Sequence, residues 1–382
     1  MLPVSKPSTG KEEIQAIEKV FQGGWLGLGS ITFEFEEAIK KYIGCPEAVA
    51  VNTGTSALHI ALDGFGVGPG DEVIVPSITF AACVQAILAT GAKPVFCESN
   101  ESDLLMDIDD VERRMTPATK AVMPVHYCGQ PCDMDKLMAL AARKKVWVIE
   151  DAAHAFGSTY KGRRIGSFGH AACFSFDPIK NITCGEGGAV VLQDGQKAEE
   201  IRRKRILGID KDTFHRYQNT RSWSYEVTTA GHRYHMPNFC AAVGLVQLRK
   251  ADEFIRRRRE ICLRYDEALA KLPGIRTLTV DYSEAAPHIY IVRVDAGWRD
   301  EFMQLLKQRG VGTGIHYIAN HIQPFFKRFA TASLPVAERL WQEIVTLPLY
   351  YDLSDADVDK VIEAVRASVA QRGPSMAAPV SN

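Results

Sequence analysis

Between residues 46 and 195 the chain alternates short, continuous apolar runs with stretches of helical period. The runs Ala48–Val51, Val73–Val75, Pro94–Cys97, Ala121–Val125, Val146–Ile149, Ala172–Phe176 and Ala189–Leu192 read as buried strands. Amphipathic stretches such as Ala57–Phe65, Ala81–Ala89 and Met134–Lys144 lie between several of them. Strands without polar alternation, separated by helices, predict a mostly parallel sheet covered on both faces. In such α/β sheets ligands bind beyond the carboxyl ends of the strands, so residues just after each run are the ones to read for chemistry.

Past Leu245 the pattern changes. A long charged helix is predicted over Leu245–Leu272, followed by strands at Arg276–Val280 and His288–Val294 and a helix at Arg299–Arg309. A strand near Gly312–Tyr317 and helices at Leu334–Ile344 and Ser354–Val369 complete a smaller α+β unit. Ser354 with Asp357 has the spacing of a capping box. The expected organisation is a large domain over residues 1–245, a small C-terminal domain over 246–372, and a disordered tail, GPSMAAPVSN, over 373–382.

The 382 residues carry 45 basic and 46 acidic side chains, a formal net charge of -1. That balance leaves no field to hold nucleic acid or an anionic membrane. No run approaches the ~18 apolar residues of a membrane span, and the first residues carry no basic-then-apolar leader, so a cytoplasmic protein is expected. The nine cysteines are scattered; Cys128 and Cys132 are the nearest pair, without the further ligands a zinc site needs. Buried reduced thiols and no metal are expected. The basic runs Arg202–Arg205 and Arg256–Arg259 have acidic neighbours, which predicts ion-paired, solvated helix faces.

Four segments carry candidate chemistry. Asn52-Thr53-Gly54-Thr55-Ser56 joins a strand to a helix, and its free N–H groups and hydroxyls suit a phosphate, or simply a helix cap. Glu150 and Asp151 end an apolar strand before His154; a buried carboxylate there needs a partner, either a protonated ring nitrogen or a structural salt bridge. Lys180 follows a strand and precedes the turn Gly185-Glu186-Gly187-Gly188. In a desolvated cleft such a lysine forms Schiff bases, whereas on a surface it is a point charge. The segment from Gly310 to Phe326 brings His316, Tyr317 and His321, as substrate contacts or as packed side chains. A nicotinamide enzyme would show G-x-G-x-x-G after its first strand, where this chain has NTGTS.

The order of phosphate turn, strand-end Asp and Ser-x-x-x-x-Lys resembles the DegT/DnrJ/StrS-type sugar aminotransferases, from about Pro7 to Val369. The resemblance is carried by GGWLGLG (Gly23–Gly29), GDEVIVPSITF (Gly70–Phe80), GAKPVF (Gly91–Phe96), PVHYCGQPCDMD (Pro124–Asp135), EDAAHAFGSTYKGRRIG (Glu150–Gly166), FSFDPIKNITCGEGG (Phe174–Gly188) and GIHYIANHIQP (Gly314–Pro324). It implies a fold-type I, pyridoxal-phosphate-dependent enzyme in which Lys180 forms the Schiff base with the cofactor and Asp151 holds the pyridine nitrogen protonated. It further implies phosphate contacts from Gly54, Thr55 and Ser175, ring stacking by Phe80, and His154 beside the ring.

The same resemblance implies a homodimer with shared active sites, completed by a segment that here reads Gly231-His232-Arg233-Tyr234-His235-Met236. Arg233 stands where the family usually has Asn and His235 where it has Arg, so Arg233 is expected to reach the phosphate as a charged donor. Trp25, Leu26, His316, Tyr317 and His321 are expected at the substrate, with Gly27-Leu28-Gly29 departing from the commoner T-T-G-P. The implied reaction moves an amino group from L-glutamate to a nucleotide-linked keto-sugar. A keto-cyclitol acceptor, or dehydration by members that replace the lysine with His, are the alternatives; Lys180 favours transfer.

Overall fold

The computed structural model describes residues 1–210 and 225–372. The expected tail at 373–382 lies outside them. In chain order the elements are α1 (Lys11–Gly23), α2 (Ser30–Ile43), β1 (Glu47–Val51), α3 (Gly54–Gly64), β2 (Glu72–Pro76), α4 (Ala81–Ala89), β3 (Lys93–Cys97), α5 (Ile108–Arg114), β4 (Thr119–Val122), α6 (Met134–Lys144) and β5 (Trp147–Asp151). A short hairpin, β6 (Thr159–Tyr160) and β7 (Arg163–Arg164), precedes β8 (Ala171–Ser175), β9 (Gly188–Leu192) and α7 (Gly195–Lys204). Then follow α8 (Asn238–Leu269), β10 (Arg276–Thr277), β11 (Tyr290–Arg293), α9 (Arg299–Gln308), α10 (Pro335–Glu343), β12 (Ile344–Leu347) and α11 (Asp355–Arg372).

The seven-stranded sheet has the order β1-β9-β8-β5-β4-β2-β3. Strands β8, β5, β4, β2 and β3 pair in parallel, while β9 runs antiparallel to both β8 and β1. Six strands thus point one way, and the loops after β1, β2, β5 and β8 emerge on one edge. Their side chains are almost wholly buried, which is why these runs read as continuous and not alternating. A three-stranded antiparallel sheet, β10-β11-β12, lies in the C-terminal part.

The expected boundary at 245 falls inside α8, which runs unbroken for 32 residues through Gly244. Its first half (Cys240, Ala241, Leu248, Phe254) packs into the core around the large sheet. Its last turns (Ile261, Cys262, Tyr265, Leu269) pack into a second core with β11, α9 and α11. The N-terminus joins that second region, with Leu2 bridged to Val311 and Leu349 N–H donating to Val4 O at 3.0 Å.

Other local expectations also shift. The strand expected at Gly312–Tyr317 is reduced to one isolated bridge, Gly314 with Thr346, next to that of Val311 with Leu2; the chain passes close there, a Cβ on Gly312 lying 2.7 Å from Leu2 O. The helix expected to reach Ile344 ends at Glu343, where the buried run Ile344–Leu347 becomes β12. The Ser354 cap is present, its Oγ accepting the Asp357 N–H at 3.1 Å. In the basic runs Arg202, Lys204, Arg205 and Arg257 are ion-paired, yet Arg205 and Arg258 are buried and not on solvated faces. Arg205 pairs with Glu36, and Arg258 donates to the Asn181 carbonyl at 3.0 Å. All nine cysteines are buried and unbonded. Among the described residues no helix is long and apolar enough to cross a membrane, and no cluster of His, Cys, Asp or Glu suits a metal.

Candidate active site

The strand ends converge on a cavity of about 270 Å³ lined by Gly54, Thr55, Phe80, Asp151, His154, Ser175, Lys180, His316 and Tyr317. Strand β1 leads through Asn52 into α3, whose Thr53 caps the helix by accepting the Ser56 N–H at 3.0 Å. The N–H groups of Gly54 and Thr55 open that helix and have no intrahelical acceptor, which gives the turn its affinity for anions. Gly54 sits tightly against β8: a Cβ there would lie 2.7 Å from Ser175 Cβ. Only a bare backbone brings the start of α3 and the Ser175 hydroxyl together.

Asp151 closes β5 with both oxygens engaged. Its Oδ1 accepts the Ala153 N–H at 3.0 Å, and its Oδ2 accepts from the Cys83 thiol at 2.7 Å. Cys83 comes from α4 and is fully buried; desolvation and the neighbouring carboxylate push its pKa well up, so it stays a thiol and a donor.

Lys180 lies in the loop that reverses direction between β8 and β9. Burial draws its amine down from the ordinary lysine value, against the opposing pull of Asp151, Asp177 and Cys83. The loop is clamped: Asn181 donates to Phe156 O at 3.2 Å and to Ala286 O at 3.0 Å, and Arg258 reaches the Asn181 carbonyl. Lys180 Nζ lies 3.4 Å from His288 Nε2.

The roof comes from the C-terminal half. Tyr317 OH pairs with His154 Nε2 at 2.9 Å, and its ring tilts over Phe80 at 5.6 Å between centroids. The His316 carbonyl accepts from Tyr127, and its Nδ1 pairs with Thr346 Oγ1 at 2.8 Å. Burial and the facing Lys180 hold His316 down to about 4, and burial drives His154 well below the usual imidazole range. Both rings are therefore neutral at working pH.

Three of the sequence-derived substrate candidates and one cofactor candidate stand elsewhere. His321 is outside this cavity and buried, with Nδ1 paired to Ser77 Oγ at 2.6 Å and Nε2 to Glu338 at 3.3 Å, so its ring fastens the 320–322 turn to the strand β2 exit. Trp25 and Arg233 line a second cavity with Gly27, Leu28, Leu207 and His235. Leu26 is exposed and lines neither cavity. Sequence reading passed over Cys83, Tyr127 and His288. Each lies far along the chain from its partner, and no local spacing marks it.

Phosphate-type amides and hydroxyls at one end, a carboxylate in the body and a desolvated amine within the same cleft form the donor set for a phosphorylated pyridine aldehyde. The glycine cradle at Gly54 and the buried Nδ1 of His154, without a partner among the described residues, leave room and unused polar capacity for such a group. Fold and site together define a fold-type I pyridoxal-phosphate enzyme.

The model of the DegT/DnrJ/EryC1/StrS aminotransferase family matches residues 7–366. The chain is 43% identical to the spore coat polysaccharide biosynthesis protein SpsC of Bacillus subtilis (strain 168), over 96% of each chain. Among solved structures it matches the aminotransferase TlmJ from Streptoalloteichus hindustanus at 37% identity and a TM-score of 0.91, covering 97% of this chain and all of that one. Spr1654 from Streptococcus pneumoniae matches in its PMP-form at 31% identity and a TM-score of 0.92, covering 97% of this chain and 100% of that one; its PLP-form matches with a TM-score of 0.90. The chain belongs to the DegT/DnrJ/EryC1/StrS aminotransferase family and is a pyridoxal-phosphate-dependent aminotransferase.

Proposed function

We propose that the enzyme transfers the amino group of L-glutamate to a nucleotide-linked keto-sugar for the building of a surface polysaccharide, as a cytoplasmic homodimer. The observation that carries the reading is the meeting of Lys180, Asp151 and the Gly54–Ser175 cradle in one cleft. The likeness to a spore coat polysaccharide biosynthesis protein supports the sugar acceptor. Nine buried, unbonded thiols fit a reducing compartment. Trp25 and Arg233, gathered at a cavity apart from the lysine cleft, support a role for them at a neighbouring subunit's cleft.

When bound, pyridoxal phosphate supplies an electron sink for the bond broken at the amino-bearing carbon. The chain's residues do the rest. The α3 amides with Thr55 and Ser175 would hold the phosphate, Asp151 would hold a proton on the ring nitrogen, and Phe80 and His154 would flank the ring. Lys180 would tether the cofactor through its Nζ and, as a free amine, would take up the proton lost by the donor carbon and give it back on the cofactor side, the reverse transfer serving the acceptor. Neutral His154, His316 and Tyr317 offer hydrogen bonds to sugar hydroxyls without competing for that proton.

Borohydride reduction of the holoenzyme should leave a pyridoxyl adduct on the Lys180 peptide, and protein charged with glutamate should regain its cofactor colour only with nucleotide-linked ketoses. An unmodified Lys180 peptide would refute the site, while recovery with free keto-cyclitols alone would refute the acceptor.

A further inference from the structure

His288 is buried just ahead of β11, and the activity described above leaves it without a task. Its Nε2 lies 3.4 Å from Lys180 Nζ, while its Nδ1 is buried with no partner among the described residues. Among the described residues nothing else fixes its tautomer, and the lysine amine is the polar group its side chain meets. The ring also lies against His154, 4.5 Å between centroids and tilted by 51°. Lys180 faces Asp151 from β5, Asp177 from its own loop and Cys83 from α4; His288 faces His154, His316 and Arg258 as well as the lysine. Burial first, and the neighbouring Lys180 and Arg258, hold His288 far below the usual imidazole range, so it cannot compete for the proton as a base.

We infer that His288 is a catalytic residue whose unprotonated Nε2 accepts a hydrogen bond from Lys180 once that amine is free, aiming it and stabilising it while it carries the transferred proton. The carbon–hydrogen bond breaks, a nitrogen–hydrogen bond forms on Lys180, and the electron pair stays on the substrate side. His288 gains no proton; it accepts a hydrogen bond from an ammonium that has only donors. In the lysine-tethered state that ammonium does not exist, so the contact acts selectively on the proton-carrying state.

This inference rests on Lys180 as the reactive amine, and the test separates the two. In cofactor-free protein, competitive acetylation across pH with mass spectrometry of the Lys180 peptide reports the lysine's own titration. Removing the acceptor in His288→Phe should lower that midpoint by about one pH unit, and His288→Gln, which keeps an acceptor, should restore most of it. On the unaltered protein, nitrogen-15 NMR should show the His288 proton on Nδ1. An unmoved midpoint in folded His288→Phe, or a proton found on Nε2, overturns the role of His288 alone. Failure of borohydride trapping at Lys180 overturns the reading beneath it.

Discussion

The proposed phosphate cradle depends on one absent methyl. Adding it in Gly54→Ala sets a Cβ 2.7 Å from Ser175 Cβ and 3.2 Å from Ser175 Cα, so the neighbour that must yield includes backbone of a central strand. Overpacking of this kind costs about 1–3 kcal/mol, which should weaken pyridoxal phosphate binding by about ten- to a hundredfold. Fluorescence titration of the cofactor-free variant measures it; wild-type affinity would mean that the cradle does not hold the phosphate. Gly54, Asp151 and Lys180 were legible in sequence because each ends or follows a strand, and a strand end is a local signal. Cys83 and His288 were not, because their partners lie 68 and 108 residues away and are found only through the fold. His321 shows the opposite error: a histidine near a family-like motif whose two ring nitrogens are already used in packing.

At the scale of elements, the reversal between β8 and β9 is what presents Lys180. The strands lie antiparallel with the register Ser175 against Gly188, so the twelve residues between them form a loop on the same edge as Asp151. Arg258, buried on α8, ties that loop down through the Asn181 carbonyl at 3.0 Å and the Lys180 carbonyl at 3.4 Å. In Arg258→Leu these buried carbonyls lose their donors, at about 1–3 kcal/mol. The melting temperature should fall by several degrees, with kcat reduced about a hundredfold by the displaced amine and KM little changed. Steady-state kinetics beside a melting curve decide it: lower stability with full kcat would leave Arg258 a purely structural clamp. The parallel sheet was readable from unbroken apolar runs, and the Arg258 clamp was not. A run of four arginines reads as solvated face until the helix is seen to bury one side of it. Likewise β12 went unread, only its first residue falling at the end of the helix expected over Leu334–Ile344, because a four-residue run has no period of its own.

Over the whole molecule, titration of buried imidazoles should set the acid limit of the fold. His59, His154, His170, His235, His288 and His316 are all held below the ordinary value of 6.5, in each case chiefly by burial. A base depressed in this way binds fewer protons folded than unfolded, so its contribution to stability is present above 6.5 and is lost as pH falls. His126 is shifted the other way, to about 10, where its hydrogen bonds, that to Glu150 included, outweigh burial. Below 6.5 it is protonated in both states and takes no part in the acid limb. Each depressed group steepens the pH dependence by up to about 1.4 kcal/mol per pH unit. Cofactor-free protein should therefore melt several degrees lower at pH 5 than at pH 7, with uptake of roughly two to six protons on unfolding. Calorimetry in buffers of different ionisation enthalpy counts those protons. The carboxylates Asp110 and Glu101, held low by arginines, should add a second loss only nearer pH 4. A melting temperature that stays level from pH 7 to pH 5, or proton release on unfolding, would show that these rings are not neutral in the folded chain, and with that the neutral, proton-sparing roof proposed over Lys180 would fall.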